Sequence, residues 1–246
     1  MAGNHPRFHC GVALAALLAT AAAAEPENPV VAPDEKVDGL TQREHAVRWW
    51  QWANLVPPGV RPYQDPTGAQ CGLNQSGPVW FLAGTDGTAD TRRHCRMPAD
   101  KHVFLPVINM LAHSRPGKPL TCQQARAMAA ANNDHLGAVE VTIDGQPVQR
   151  IERFRQSTPD CFDAFPVAPY LEKTGSWFPA ATDGYWLMIR PLPAGIHVIT
   201  VRARYDNPGG ELGDMEQVFE YQLQVEEEAE APEQPATHPE AGTLYL

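Results

Sequence analysis

The stretch that decides the fold class covers residues 76–109 and reads SGPVWFLAGTDGTADTRRHCRMPADKHVFLPVIN. Two β-rich apolar runs, 78–83 and 102–108, flank a polar insert. Within the insert, Asp86-Gly87 and the Pro-Ala-Asp-Lys sequence at 98–101 are typical of turns. We predict that the insert is the end of a hairpin in a β-protein, not a catalytic or metal-binding loop.

The rest of the chain repeats this pattern of short strands and turns. Residues 138–143 alternate, Asp144-Gly145 gives a hairpin signal, residues 146–154 return, and further strands are predicted at 185–189, 196–205 and 217–225. Helices are predicted at 41–56 and 121–133, because each begins with a threonine followed three residues later by Glu or Gln. The fold class is therefore mainly β, an antiparallel β-sandwich or jelly-roll-like domain with one or two short helices.

The N-terminal region has the features of a secretory signal. Arg7 is followed by an apolar run at 11–20 that is too short to span a bilayer, and small residues follow at 21–24. We predict a signal peptide at 1–24, an extended leader at 25–40, a single β-rich domain at 41–225 and a disordered acidic tail at 226–246. The expected location is secreted or periplasmic, with no membrane span after cleavage.

The charge of the chain limits its partners. The formal net charge is −10, and the acidic residues are enriched in the tail. A negative chain is repelled by phosphate backbones and anionic membrane surfaces, so we expect no nucleic-acid partner.

Four cysteines remain after the predicted cleavage, and an even number in an exported chain favours disulfides. They are Cys71, Cys95, Cys122 and Cys161, which allow three connectivities. We favour Cys71–Cys95 and Cys122–Cys161, because each pair brackets one compact segment. A zinc site is the alternative, although the CxxC spacing typical of such sites is missing.

Four segments together resemble an uncharacterised family of secreted bacterial proteins. They read WWQWA, CGLNQSGPVWFLAGT, CRMPADKHVFLPVIN and DGYWLMIRPLPAGIHVITV, within residues 45–205. The resemblance implies an extracytoplasmic globular domain and carries no activity, substrate or catalytic residue with it. The family pattern often has a cysteine soon after PVIN, where this chain has Met110-Leu111-Ala112. That departure implies a changed partner for Cys122, with Cys161 as the mate.

Aromatic residues are the candidate ligand-binding groups. The candidates are Trp49, Trp50 and Trp52 on the first predicted helix, and Trp177 and Trp186 later in the chain. Exposed indoles could stack on sugar rings. The alternative, which we favour, is that they pack in the core and dock the helix on a sheet.

The polar insert contains the candidate metal ligands Asp86, Asp90 and His94. Carboxylates and backbone carbonyls in a short loop suit calcium, which is the cofactor that this segment could bind. The spacing does not match an EF-hand, and Asp-Gly-Thr loops are usually turns, so we otherwise expect no cofactor.

No active-site motif is recognisable in the sequence, and the catalytic residues are unknown. The predicted function is therefore an exported, non-catalytic binding or envelope-associated protein, with carbohydrate or an envelope polymer as the first ligand class to test. One alternative is an extracytoplasmic hydrolase whose carboxylate pair is assembled from separate loops. The other is a structural component of the envelope.

Overall fold

The computed structural model describes residues 29–87, 90–171, 174–210 and 213–227. In that part of the chain nine strands form two sheets, and two α-helices accompany them. The strands are β1 (Val79–Phe81), β2 (Thr91–Pro98), β3 (His102–His113), β4 (Leu136–Ile143), β5 (Gln146–Pro147), β6 (Arg155–Ser157), β7 (Ala180–Ile189), β8 (Gly195–Tyr205) and β9 (Met215–Glu226). The helices are α1 (Gln42–Ala53) and α2 (Cys122–Asn133).

The predicted mainly β fold is confirmed. The first sheet has the strand order β1-β3-β7-β6, and the second has the order β2-β9-β8-β4-β5. In β2 and β9 buried and more exposed residues alternate, as expected when only one face of a sheet is covered. Every residue of β7 is buried, because α1 and α2 also contact this strand. The interior between the sheets is therefore the main apolar core.

The hairpin predicted for residues 76–109 is wrong. β1 pairs with β3 in parallel, and the polar insert contains β2, which lies in the other sheet and pairs in parallel with β9. A parallel pair needs a long crossover, and the segment between β1 and β3 is long enough to cross to the second sheet and return. The predicted turn at 98–101 joins β2 to β3, so it connects the two sheets. The sandwich is thus mixed and not purely antiparallel.

Local signals for the helices and for one hairpin are confirmed. Both helices begin with the predicted capping box, at Thr41 and at Thr121. Asp144 and Gly145 have positive φ angles of 51° and 76°, the conformation of a two-residue hairpin turn. The returning strand is shorter than predicted: β5 ends at Pro147, and the left-handed Arg150 (φ 55°) precedes a 3-10 turn at Ile151–Phe154.

The domain boundaries are only partly visible. The predicted signal peptide at 1–24, the start of the leader and the tail from residue 228 lie outside the described residues. The described part of the leader packs on the domain, since Val31 is buried and its N–H donates to the Met188 carbonyl at 2.8 Å. Among the residues described, no helix is both long and apolar enough to cross a membrane.

The favoured cysteine pairing is confirmed. Cys71 is bonded to Cys95 and Cys122 to Cys161, with Cα–Cα distances of 5.8 and 5.7 Å. These four thiols are therefore not available for zinc, and that alternative is wrong. The first disulfide ties the loop after α1 to β2, and the second ties the start of α2 to the segment before β7.

Removing the second disulfide should destabilise the domain. Cys122 and Cys161 are 39 residues apart, and opening a loop of that size raises the entropy of the unfolded chain. For Cys122→Ala with Cys161→Ala, we expect the free energy of unfolding to fall by about 2–4 kcal/mol in urea titrations. The control is Met128→Ala, at an exposed position of α2. An unchanged urea midpoint in the double variant would contradict the prediction.

Candidate functional site

A cleft of about 370 Å³ lies where α1, the end of β3 and the start of β9 converge. Its volume is in the range of small-molecule sites, about 300–1,000 Å³. We call it the central cleft. The polar side chains that line it are Arg61, Asp86, Asn109, His113, Arg115 and Gln217. The aromatic and apolar ones are Trp49, Trp50, Tyr63, Met110, Leu111 and Met215.

The tryptophans of α1 dock the helix on the sandwich. Trp49, Trp50 and Trp52 are all buried. Trp49 Nε1 donates to the Leu82 carbonyl at 2.7 Å, and Trp50 Nε1 donates to Thr182 Oγ1 at 2.8 Å. Trp49 and Trp50 form part of the wall of the central cleft, but the buried indoles of α1 do not project into solvent as a stacking platform. Their arrangement is the one that the docking interpretation predicts.

The other candidate tryptophans do not line the central cleft. Trp52 Nε1 donates to the Leu73 carbonyl at 2.9 Å, away from the cleft. Trp186 is fully buried and stacks on Phe104, with ring centroids 5.3 Å apart. Trp177 is half-buried against Phe165. Of the predicted ligand-binding set, Trp49 and Trp50 line the central cleft. Trp52 and Trp186 pack against Trp49 behind it, with ring centroids 5.9 and 5.4 Å away, and Trp177 lies apart from this cluster.

Two buried amides face the central cleft with unused hydrogen-bonding groups. Asn109 is 8 % exposed, and its side chain has no hydrogen-bond partner among the described residues. Gln217 is 3 % exposed; its Oε1 accepts from the Thr85 N–H at 3.1 Å, while its amide nitrogen has no partner in the same part of the chain. Their unpaired atoms are not fully enclosed, so solvent reaches them from the cleft and they are available to bind a ligand there.

The residue that faces Asn109 on the neighbouring strand is a glycine, which leaves space for the Asn109 side chain. Gly184 pairs with Asn109 across β3 and β7. A Cβ at Gly184 would overlap the Asn109 side chain, so only glycine fits opposite it. The sequence analysis missed Asn109 and Gln217. The available signal was that each is a polar residue at the end of an otherwise apolar, inward-facing strand pattern.

Within the described residues, the cations of the central cleft have no carboxylate partner. Arg61 is half-buried and donates to the Tyr63 hydroxyl at 2.8 Å and to the Tyr170 hydroxyl at 3.3 Å. No carboxylate of the described residues lies within 4 Å of Arg61 or of the exposed Arg115. Burial lowers the pKa of His113, so its imidazole is neutral at neutral pH. Among the lining residues that the structure describes, the charged groups are thus two arginines and Asp86.

The three predicted metal ligands are not assembled into one site. Asp86 lines the central cleft, Asp90 is exposed just before β2, and His94 lies on the outward face of β2. Within the described ranges, no group of three or more His, Cys, Asp or Glu residues could hold a metal ion. The described residues therefore give no support to the calcium site.

Arg93 is a buried cation that holds the walls of the cleft. It is 2 % exposed, and its Nη1 donates to the carbonyls of Ala83 and Gly84, both at 2.8 Å, and to the Tyr221 hydroxyl at 3.0 Å. Its Nε donates to the Asp65 carbonyl at 2.6 Å. One guanidinium therefore connects the segment after β1, the loop beside Tyr63 and the neighbouring strands β2 and β9 of the second sheet.

A second group of charges lies next to α2, and it tests the carboxylate-pair alternative. Asp183 is buried and forms a two-pronged ion pair with Arg155, with distances of 2.8 and 2.9 Å. Arg155 Nη2 also contacts Asp134 Oδ1 at 2.7 Å. We call these three residues the ion triad. Burial raises the pKa of Asp183, and Arg155 offsets only part of that rise. Both carboxylates are bound to one guanidinium, as in a structural ion pair and not a free acid and base.

Comparisons of this chain with protein-family models, with curated proteins and with solved structures find no match.

Proposed function

We propose that this chain is an exported binding protein and that the central cleft takes a carbohydrate or a segment of another envelope polymer. The observation that carries the proposal is the pair of buried amides, Asn109 and Gln217, whose unused groups face an open cleft with aromatic walls. Unused donors and acceptors in a partly apolar cleft are the features expected of a ligand site.

The chemistry of the cleft suits binding better than hydrolysis. Most glycosidases need two carboxylates on either side of the scissile bond. Asp86 is the single carboxylate among the described lining residues. Asp134 and Asp183 are bound to Arg155 in the ion triad, on the side of the fold that faces α2. The site can therefore orient a polar ligand, and the proposal assigns it no catalytic step.

Export is part of the same proposal. Two disulfides are typical of proteins that fold in an oxidising compartment. Together with the signal peptide predicted at 1–24, they favour a secreted or periplasmic location. Membership of the family of secreted bacterial proteins that the sequence resembles is proposed on the same basis.

The test is a glycan array followed by calorimetry with wild type and Asn109→Leu. Leucine keeps the branching of asparagine, and Asn109 makes no side-chain hydrogen bond within the described residues, so the variant removes no bond of the fold that the structure shows. We expect binding to weaken by about 10-fold or more and the free energy of unfolding to stay equal or rise, because a buried unpaired amide is replaced by an apolar group.

The control is Gln222→Leu, which changes an amide on the outward face of β9. It should leave ligand binding unchanged. If no saccharide or envelope polymer binds the wild type at millimolar concentration, or if Asn109→Leu binds as well as wild type, the central cleft is not a carbohydrate site.

A further inference from the structure

The central cleft carries charge of the opposite sign to the chain as a whole. The chain has a formal net charge of −10. Among the described lining residues, Arg61 and Arg115 are positive and Asp86 is negative, so the cleft is positive when His113 is neutral. A local positive field in an acidic protein attracts anions specifically to that position.

Arg61 is oriented by uncharged partners, including the rings of Tyr63 and Phe165 at 6.0 Å, and has no counterion among the described residues. Its guanidinium donates to the Val56 carbonyl at 3.4 Å and to the hydroxyls of Tyr63 and Tyr170. None of these partners carries a charge at neutral pH. The Tyr170 hydroxyl is itself fixed, because it donates to the Asn54 carbonyl at 2.7 Å. The partners orient the guanidinium, and its remaining N–H groups have no partner among the described residues.

A half-buried cation without a counterion is unusual, since charges removed from water are normally paired. The stability that such a cation removes from the free protein can be recovered when a bound ligand supplies the missing negative charge. Asn109 and Gln217 in the same cleft have the same property of unused polar groups. Two independent features, a cation without a counterion and amides with unused groups within the described part of the chain, thus point to one ligand.

We propose that the saccharide bound in the central cleft is acidic, with a carboxylate that pairs with Arg61 and Arg115. The inference rests on the proposed binding function and deepens it. The planar guanidinium matches a carboxylate in two-pronged geometry. The amides of Asn109 and Gln217 bind the sugar hydroxyls, and Asp86 accepts from hydroxyl donors.

Calorimetry with a charged sugar and its neutral derivative tests this inference. The probes are a short oligogalacturonate and the same oligosaccharide with its carboxylates methyl-esterified, each titrated into the full chain. We expect the acid to bind about 10-fold or more tightly than the ester at low salt, and the difference to shrink as salt is raised. Equal affinities would overturn the inference.

Arg115→Gln is the matched variant, because Arg115 is exposed and makes no side-chain hydrogen bond or ion pair within the described part of the chain. It should weaken binding of the acid by about 5-fold to 10-fold and weaken binding of the ester by less, because the ester keeps a carbonyl acceptor but no charge. Equal weakening of both would count against the carboxylate pairing. Arg92→Gln, at an exposed position of β2 outside the cleft, is the control and should change neither affinity. Arg61→Met tests the contribution of the second cation in the same way, once circular dichroism shows that the variant folds.

The outcomes separate this inference from the proposed function. If acid and ester bind equally, and Asn109→Leu weakens both, the cleft is a carbohydrate site and the acidic ligand is wrong. If neither probe and no other saccharide binds, the inference and the proposed function both fail. If polyglutamate binds as tightly as the oligogalacturonate and also depends on Arg115, the saccharide class is wrong.

Discussion

Arg93→Met should lower the free energy of unfolding by about 3–5 kcal/mol. Methionine replaces the apolar stem of arginine but donates no hydrogen bond. The carbonyls of Asp65, Ala83 and Gly84, which accept from the guanidinium, would then be left inside the protein without these donors. The Ala83 carbonyl keeps the Tyr221 hydroxyl as a donor at 2.8 Å, so the carbonyls of Asp65 and Gly84 are the ones that lose their partner, at about 1–3 kcal/mol each. Relaxation of the surrounding structure and entry of water would recover part of this lost free energy.

The control for this prediction is Arg92→Met, one residue earlier on β2. Arg92 points outward where Arg93 points inward, so the same change of residue type should alter stability by less than about 0.5 kcal/mol. Urea titrations followed by tryptophan fluorescence measure both variants. Equal, small effects of the two substitutions would show that the buried guanidinium does not hold the fold.

Arg93 should also affect ligand binding indirectly. The segment that contains Gly84 and the loop that contains Tyr63 both line the central cleft, and both accept hydrogen bonds from Arg93. Arg93 is therefore a positioning residue of the cleft, because it acts through the groups that it holds.

Elements that depend on local chemistry could be predicted from the sequence. The capping boxes at Thr41 and Thr121 involve residues three apart, and the turn at Asp144-Gly145 depends on the φ angles of two residues. Each is determined within one turn of chain. The disulfides were also predictable, because each joins the two cysteines that bracket one segment.

Strand pairing could not be predicted in the same way. The apolar runs that became β1 and β3 have the composition of a hairpin, but whether they pair in parallel or antiparallel depends on the path of the chain between them. β2 pairs with β9, more than a hundred residues later, so its sheet is decided by a partner that no local signal identifies.

The central cleft could not be predicted from the sequence for a related reason. The alternation of β9 places Gln217 inward, beside Phe219 and Tyr221, but alternation does not show whether the space in front of it is filled. That depends on Asn109 and on the glycine opposite it, from distant strands. Arginine is also mostly found on the protein surface, so the sequence predicted that Arg93 belongs to a polar loop.

Arg155→Met should have an effect of similar size, about 3–5 kcal/mol near pH 7, and the size should depend on pH. The substitution leaves the carboxylate of Asp183, whose side chain is 5 % exposed, without its cation. Asp134, which shares the same guanidinium, would then add only repulsion. Arg153→Met is the control, at an exposed position on the 3-10 turn before β6.

The sign of the pH dependence follows from the pKa of Asp183. Burial already holds this pKa above its ordinary value in the wild type, and removing Arg155 should raise it further. A carboxyl group whose pKa is higher in the folded state contributes stability that is present below its unfolded pKa and is lost as the pH rises through its folded pKa. The variant therefore loses more stability than the wild type as the pH rises, and the difference between them should grow from about pH 4 to about pH 7.

A second substitution separates the charge from the packing. In Arg155→Met with Asp183→Asn, the buried group is neutral at every pH, so the dependence of the difference on pH should disappear and part of the lost stability should return. Urea titrations across this pH range measure all three proteins. A difference that stays constant with pH in Arg155→Met would show that lost contacts of the arginine stem, and not an unpaired carboxylate, cause the destabilisation.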